Sequence, residues 1–556
     1  MTFNASSPVM SSKHKPIIWT ISGADCSGGA GIAADIKTGH NLHVEVCHLI
    51  TANTVQNSTG LSAIHPVEVA ILAEQAQALR FDKPPSVIKI GLIANSVQLT
   101  WLVTLLSALK QQLPNLQVVY DPVGQASVGG SLTTLITADL LSLIPLVNVI
   151  TPNYMEAKKL NQLWQVSDSD SDSDSDNQNS ITDIAGNITA QNIEKNVKNS
   201  AEKTAEHILK LGCQAVIIKG GHTDNEQDNN AKTHCIDLCL QRLSLTSTQT
   251  LILQSPKINS HYSHGGGCSF ASALASFLAH GYLLRDAFTL TKAFINQGLA
   301  LTAETESAKH NRDDYYGAFE QTSWPTTLAY FPKVIGALNQ QVHSLLSFKP
   351  LDLADEQKLG LYPVIDSLEW LERLLPLNLN IIQLRIKNKS SKELDSIIEK
   401  AVTLARLHSC RLFINDHWQL AIKHGAYGVH IGQEDLANAN LTAIADAGLR
   451  LGISTHGCYE FLLAKQIQSS YLAIGAIFPT KTKNMTGQIQ GVENLRQILQ
   501  LAEHIPVVAI GGISQQRLKQ VSDTGVSGVA VVTAITEAEQ PIIAAKNMQT
   551  LLTEDD

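Results

Sequence analysis

This sequence predicts an α/β architecture in two parts: an N-terminal αβα sandwich on a mostly parallel sheet, followed by a C-terminal (β/α)8 barrel. Three observations predict it. Short apolar runs that end abruptly in polar residues alternate with helical stretches, the pattern of parallel strands buried on both faces. Eight such runs fall within the last stretch of about 200 residues, the strand number of a small barrel. At 556 residues the chain also exceeds what one hydrophobic core organises. Strand number alone does not close a barrel, so an open doubly wound sheet is the alternative for the second part.

Bulk properties narrow the function classes. Hydrophobic residues make up 44% of the chain and the net charge is -9. Five of the acidic residues lie in one Ser-Asp run, so the folded parts are closer to neutral. No basic patch stands out, which argues against nucleic-acid affinity. No apolar run reaches the roughly 18 residues a membrane span needs. The polar stretch Met1 to Lys15 lacks the apolar core of a signal peptide. The eight cysteines form no Cys-x-x-Cys pair, fitting reduced thiols rather than a disulfide frame or zinc site. A cytoplasmic protein acting on small molecules is expected, with homo-oligomerisation left open.

In chain order, residues 1–15 read as a disordered tail and 16–302 as the first domain. Ile17 to Ile21 is a strand running into Ser22-Gly-Ala-Asp-Cys-Ser-Gly-Gly-Ala-Gly31 and then a helix. Two phosphate motifs nearly fit there and fail. Ile36 stands where a P-loop needs glycine, and no acidic residue follows at the roughly 20-residue spacing of a dinucleotide fingerprint. Further strands end in Lys89-Ile-Gly91, Asp121-Pro-Val123, Thr151-Pro-Asn153 and Lys219-Gly-Gly-His222. Ligands collect at such carboxyl ends, which puts Asp121, Glu156 and Lys219 near a site. Ser167 to Asp176 is five Ser-Asp repeats. With the polar stretch after it, 167–200 reads as a disordered insertion: a solvated linker, or a regulatory acidic or phosphorylated tract.

His264-Gly265-Gly266-Gly267-Cys268 opens an apolar helix. Glycines before a helix leave free amide hydrogens converging on one point, and the helix dipole adds to their pull on an anion. The same dipole is expected to acidify Cys268, making it a general acid or base or a substrate contact. A buried structural thiol is the other reading.

These pieces, in this order, resemble the hydroxymethylpyrimidine and phosphomethylpyrimidine kinases of the ribokinase superfamily over about Pro16 to Ala300. The resemblance implies a ribokinase-like fold and ATP as co-substrate. Gly23, Asp35, Gln56 and Val123 would surround the aminopyrimidine. Asp121 and Glu156 would organise Mg2+ with phosphate, and Asn153, Glu156, Lys219, Gly265, Gly266 and Gly267 would serve ATP and its phosphates. Cys268 would face the acceptor oxygen, and with Lys219 would be catalytic. Gly266 departs from the threonine usual in the family's hole.

Residues 303–357 read as a helical connector, and 358–556 as the barrel domain. Its eight runs are Leu359 to Ile365, Ile381 to Ile386, Arg411 to Ile414, Gly428 to Ile431, Arg450 to Ile453, Tyr471 to Ile474, Val507 to Ile510 and Gly528 to Val532. Asp416 and Asp435 follow neighbouring runs. Two oxygen ligands suit a hard cation such as Mg2+, which keeps waters and phosphate as its other ligands; alternatively each aspartate caps a helix. On the second run Gln383, Arg385 and Lys387 recur at period two and so share a face. A central parallel strand has no solvated face, so those polar heads ask for a ligand, and phosphate is the natural one. Ser454, Thr480 to Lys483, Gly511-Gly512 and Val532-Thr533 also follow strands.

This half resembles thiamine-phosphate synthase over about Leu359 to Ala545, on Gln383-Leu-Arg385-x-Lys387, Asn415-Asp416, His430-Ile-Gly-Gln-Glu-Asp435, Ser454-Thr-His456, Phe478-Pro-Thr480-x-Thr482-Lys483 and Ile510-Gly-Gly-Ile513. It implies that Asp416 and Asp435 bind Mg2+. Gln383, Arg385, Lys387, Asn415, Ser454 and Lys483 would hold the pyrimidine diphosphate, with Ser454 and Lys483 catalytic. Thr480, Thr482, Gly512, Val532 and Thr533 would hold the thiazole phosphate. Ile386 departs from a usual glutamate. Together the resemblances imply a bifunctional enzyme of thiamine biosynthesis. The rivals are a pyridoxal-type kinase fused to a barrel, and a non-catalytic ligand-binding protein.

Overall fold

The computed structural model describes residues 15–57, 60–125, 130–168, 190–220, 233–260, 264–308, 317–335, 347–354, 358–480 and 489–553. The chain divides into two compact units, one of them almost entirely 12–336 and the other mainly 337–556.

The first unit is built on a ten-stranded sheet. Its strands are β1 (Ile17–Asp25), β2 (Glu45–Gln56), β3 (Leu61–Pro66), β4 (Val87–Ile90), β5 (Gln117–Tyr120), β6 (Val149–Ile150), β7 (Ala215–Ile218), β8 (His234–Arg242), β9 (Thr248–Pro256) and β10 (Lys333–Ile335). Their spatial order is β10-β9-β8-β7-β6-β5-β4-β1-β2-β3. From β2 through β7 the neighbours run parallel, as the apolar runs predict. All four residues of β4 and of β7 are buried, because helices cover both faces. The edges differ: β3 is antiparallel on β2, and β8, β9 and β10 add antiparallel strands at the other side.

Helix Ser96–Gln112 shows how local sequence sets these elements. Asn95 accepts the Gln98 amide as its cap, and Leu99, Leu102, Leu106 and Leu109 recur on one buried face. That face joins a core with Trp19, Ile88, Val118 and Val216.

Two segment readings change. Helix Ala190–Lys210 occupies the end of the stretch read as a disordered insertion. Ala205, Ile208 and Leu209 are buried in the core, so its carboxyl end is anchored and good helix formers continue the helix back from there. Residues 169–189, like the tail before Lys15, lie outside the described residues. The segment read as a helical connector begins as the end of helix Leu284–Ala308. Of its later described residues, Phe319 donates its amide to the His264 carbonyl at 2.9 Å, and β10 pairs with β9. Trp324-Pro325 and Phe331-Pro332 leave a single 3-10 turn, Leu328–Tyr330, between them; burial of Phe319 and Val334 ties the stretches around them to the first unit, while Leu351 near the segment's end packs in the barrel core.

The second unit is a closed barrel of β11 (Gly360–Ile365), β12 (Ile381–Leu384), β13 (Arg411–Asn415), β14 (Gly428–Ile431), β15 (Arg450–Thr455), β16 (Tyr471–Ile474), β17 (Val507–Ile510) and β18 (Gly528–Val531). All eight expected runs are strands, and parallel pairing of β11 with β18 rules out the open sheet. Helix Ser391–Leu407 is typical of the outer ring. Ser390 and Glu393 close a capping box, and Leu394, Ile398, Ala401, Val402 and Ala405 form the buried stripe. Inside, Tyr362, Phe413 and Tyr471 pack together, with the last two ring centroids 5.1 Å apart.

Candidate functional site

In the first unit the candidate site forms at the carboxyl ends of the central strands. Asp121 follows β5 and is 1% exposed. Lys219 follows β7, and its Nζ donates to Asp121 Oδ1 at 2.8 Å. Burial opposes the lysine's charge, but Asp121 and Glu156 outweigh it and raise its pKa. Asn153 bridges to Lys219 and exchanges reciprocal cap hydrogen bonds with Glu156, at 2.7 and 2.9 Å. The Glu156 carboxyl is pushed up by burial, with Lys219 pulling it down and Asp121 adding to the rise.

The glycine-rich hole meets this pair. Gly265 sits at φ +85° as cap of helix Gly266–Ala279, and a side chain there would run into the Gly29 carbonyl, so only glycine serves. A methyl group on Gly267 would lie 3.7 Å from Lys219 Nζ and 3.9 Å from Asp121 Oδ2. The start of this helix therefore lies beside the Lys219–Asp121 pair, an arrangement suited to a phosphoryl group.

Cys268 behaves differently from expectation. Burial pushes its thiol up to about 11; Lys89 pulls it down, Asp35 and Asp121 push it up, and a Gly31 backbone hydrogen bond pulls it down. Helix position alone does not acidify it, because desolvation of a thiolate and two nearby carboxylates outweigh the favourable groups. The protonated thiol is the form present at neutral pH, a weak donor rather than a base.

The residues expected around a pyrimidine separate into three environments. Gly23 would meet Leu92 if it carried a side chain, and Val123 packs with Leu92, Ala52, Ala94 and Leu132, so these two border one apolar cluster. The Gln56 side chain instead hydrogen-bonds Asp25. Asp35 is fully buried, and its oxygens accept from Lys89 Nζ at 2.8 and 2.9 Å, Thr20 Oγ1 at 2.5 Å and Ser272 Oγ at 2.6 Å. The carboxylate is thus engaged by the core, and it is linked to the rest of the site through Lys89, which lies within electrostatic reach of Cys268 and Asp121.

Asp25 and His264 were not singled out by sequence reasoning. Asp25 accepts from His264 Nε2 at 2.8 Å, from both the amide and the hydroxyl of Ser27, and from the amides of Gly29 and Ala30. Burial opposes its charge, yet the His264, Gln56 and Ser27 hydrogen bonds hold its carboxyl well below the usual range. The pair staples the loop after β1 to the glycine-rich hole. The available signal was an acidic residue inside the first glycine-rich loop and a histidine opening the second.

In the second unit Asn415 and Asp416 end β13. Asn415 Nδ2 donates to Asp416 Oδ2 at 2.5 Å. Asp416 sits at φ +62° and donates its amide to the His430 carbonyl, which turns its side chain out of the strand. Burial raises its carboxyl pKa, Asp435 raises it further, and the Gly432 amide, Arg385 and His417 pull it down. No group of three or more His, Cys, Asp and Glu residues suited to a metal exists among the described residues. Two repelling carboxylates, one of them destabilised as an anion, fit a Mg2+ ion that takes its remaining ligands from water and phosphate. Helix capping does not account for Asp416, which precedes a helix capped by His417 with no side-chain cap bond.

β12 ends at Leu384, so the period-two reading holds only at its start. Gln383 is buried, Arg385 half-buried and Lys387 exposed. Arg385 still acts on both Asp416 and His430. Gly512, at φ +64°, lies so close to the chain after β16 that a side chain would be 2.4 Å from the Pro479 carbonyl. This close approach joins the loops after β16 and β17 next to Thr480. Val532 caps the short helix Thr533–Thr536 after β18 and packs on the barrel core. Thr482 and Lys483 lie outside the described residues.

Sequence reasoning gave no role to Tyr362 or Tyr471, and quoted His430 only as the first residue of a matching stretch. His430 shares hydrogen bonds with Tyr471 Oη and Ser454 Oγ, each 2.8 Å. Burial, with Arg385 adding, pulls its pKa down to about 3, so the ring is neutral.

Known proteins match the two units separately. The phosphomethylpyrimidine kinase family model matches residues 25–189 and 182–312, and the thiamine monophosphate synthase model matches 361–535. A thiamine-phosphate synthase from Yersinia pseudotuberculosis is 55% identical over 183 residues, 33% of this chain and 85% of that protein. One from Citrobacter koseri is 52% identical over 182 residues, covering 33% and 86%. A solved phosphomethylpyrimidine kinase from Clostridium difficile is 26% identical, covering 50% of this chain and 99% of that one at a TM-score of 0.35. The chain thus belongs to the phosphomethylpyrimidine kinase family through its N-terminal part and to the thiamine-phosphate synthases through its C-terminal part, a bifunctional enzyme of thiamine biosynthesis.

Proposed function

We propose that the N-terminal unit transfers phosphoryl groups from ATP to hydroxymethylpyrimidine and then to its phosphate, with Lys219, Asp121 and the amides of Gly266, Gly267 and Cys268 gathered on the transferred group. The observation that carries this is the meeting of the Lys219–Asp121 ion pair with the glycine-rich helix start. Phosphoryl transfer asks mainly for in-line positioning and charge stabilisation, which this set supplies without a strong base. Cys268 then serves as a neutral contact to the acceptor oxygen. Gly23 and Val123 form the wall for the ring, and Gln56, held by Asp25, reaches its edge. Asp121 and Glu156 are the residues that would hold Mg2+ beside the phosphates.

In the barrel, Asp416 and Asp435 would hold the Mg2+ that supplies positive charge to the diphosphate. Diphosphate leaves the pyrimidine methylene and the thiazole nitrogen bonds to that carbon. Arg385 and Asn415 steady the leaving group, with Lys387 and Lys483 as further cations. Gln383 and Ser454 orient the pyrimidine. The amides around Gly512 and Thr533, with Thr480 and Thr482, take the thiazole phosphate. No helix among the described residues is long and apolar enough to cross a membrane, and the cysteines are free, which supports a reducing cytoplasmic setting.

The test is product analysis with pyrimidine alcohol, thiazole phosphate, ATP and Mg2+. Pyrimidine phosphate, its diphosphate and thiamine phosphate are expected in succession; absence of the first two overturns the kinase reading. Supplying synthetic pyrimidine diphosphate tests the barrel separately. Cys268→Ala is expected to lower phosphorylation far more than ATP binding, and undiminished turnover would remove the cysteine from the site.

A further inference from the structure

The barrel interior holds a continuous hydrogen-bonded chain that the reaction chemistry does not by itself require. Gln383 Nε2 donates to Tyr362 Oη at 3.3 Å, and Tyr362 Oη lies 2.7 Å from Tyr471 Oη. Tyr471 Oη lies 2.8 Å from His430 Nδ1, and His430 Nε2 lies 2.8 Å from Ser454 Oγ. Gln383, Tyr362, Tyr471 and His430 are each at most 5% exposed. Around them the core is apolar, with Val364, Ile381, Ala473 and Val508. Stability alone would be served as well by apolar side chains there, since a buried polar network offsets its own desolvation at best. Both ends of the chain are residues assigned to the pyrimidine.

Proton counting gives the chain a direction. A tyrosine hydroxyl and a neutral imidazole each carry one donatable proton. Because Gln383 donates to Tyr362, the Tyr362 proton goes to Tyr471, the Tyr471 proton to His430 Nδ1, and the Nε2 proton to Ser454 Oγ. Ser454 is thereby left with its own proton directed at a ligand, and Gln383 with its carbonyl oxygen. In this sense, set by the Gln383 Nε2 bond to Tyr362, the Gln383 end presents an acceptor and the Ser454 end a donor. An aminopyrimidine edge, with an amino donor beside a ring-nitrogen acceptor, is the complementary pattern.

We propose that Tyr362, Tyr471 and His430 are positioning residues forming one polarised hydrogen-bond wire, which locks Gln383 into the acceptor sense and Ser454 into the donor sense, the pair that selects an aminopyrimidine diphosphate over its oxo analogue. This rests on the assignment of Gln383 and Ser454 to the pyrimidine.

The test uses the full chain and two substrates: the aminopyrimidine diphosphate, and its analogue with oxygen in place of the amino group. Tyr471→Phe keeps the ring against Phe413 and removes one hydroxyl. It is expected to raise KM for the aminopyrimidine diphosphate about tenfold, the effect of one lost buried hydrogen bond, while KM for thiazole phosphate stays constant. The preference for amino over oxo substrate should fall by a similar factor. Tyr362→Phe should give a smaller loss, because Gln383 also hydrogen-bonds Tyr471, and the double variant should lose no more than Tyr471→Phe alone, because a wire cut at Tyr471 is cut. Equal losses on both substrates, additive losses in the double variant, or an unchanged preference in either folded variant would overturn the wire. An inactive wild-type chain given both barrel substrates would instead defeat the assignment on which it rests.

Discussion

Replacing Asp35 with alanine tests whether the buried Lys89–Asp35 pair holds the kinase unit together. Both side chains are fully buried, and the carboxylate accepts from Lys89 at 2.8 and 2.9 Å as well as from Thr20 and Ser272. Removing one partner leaves an uncompensated charge in the core, a loss of about 3–5 kcal/mol. At about 2–4 °C per kcal/mol for units of this size, the unfolding transition of the first unit should fall by about 6–20 °C. Lys89 has a raised pKa, so the pair's contribution is complete below its ordinary value of about 10.5 and is lost only as pH climbs through the higher folded value. The deficit of Asp35→Ala is therefore expected to be constant across neutral pH. Calorimetry of the full chain measures it, with coupling of supplied pyrimidine diphosphate to thiazole phosphate as an internal control. Replacing Asp35 with leucine and Lys89 with methionine together should recover part of the stability and none of the kinase activity. A loss below about 1 kcal/mol in Asp35→Ala would refute the argument that the pair is a dry, paired charge.

Three further outcomes follow from the barrel. Asp435→Asn should abolish Mg2+-dependent thiamine phosphate formation while pyrimidine phosphorylation continues; in metal-free buffer it should leave the barrel as stable or more so, because Asp416 loses the repulsion that raises its pKa. Unchanged coupling would exclude Asp435 from the metal site. Gly512→Ala forces a Cβ to 2.4 Å from the Pro479 carbonyl at φ +64°, and should destabilise the barrel by about 1–3 kcal/mol and raise KM for thiazole phosphate more than for the pyrimidine diphosphate; equal KM changes would speak against a phosphate site there. His430 titrates at about 3 in the fold, below an unfolded value of about 6.5. Its contribution is complete above 6.5 and lost as pH falls toward 3, a loss of up to about 5 kcal/mol that acid titration of wild type against His430→Gln would isolate.

The strand pattern was legible from composition and period. Eight apolar runs in the second half mark eight strands, because a strand buried on both faces has to be apolar along its length. The sheet edges were less legible. β3, β8, β9 and β10 pair antiparallel, and a partly solvated edge mixes polar and apolar residues without a clean period. Charged residues at strand ends, among them Asp121, Lys219, Asp416 and Asp435, were readable because buried strands deliver their chemistry into the loops that follow.

By itself, then, the sequence determined the class of each unit and the residues that bring charge to its strand ends, since both follow from short-range pattern. Tertiary structure alone decided how those residues are used. Asp35, on the helix Gly31–Asn41, is satisfied by Lys89 from β4, and Cys268 is held protonated by burial that no helix position reveals. Tyr362, Tyr471, His430 and Ser454 lie on four different strands, and only closure of the barrel brings them into a single hydrogen-bonded line. Hydrogen bonds reach about 3 Å, whereas these partners are far apart in sequence, so their meeting is a property of the fold rather than of any local pattern.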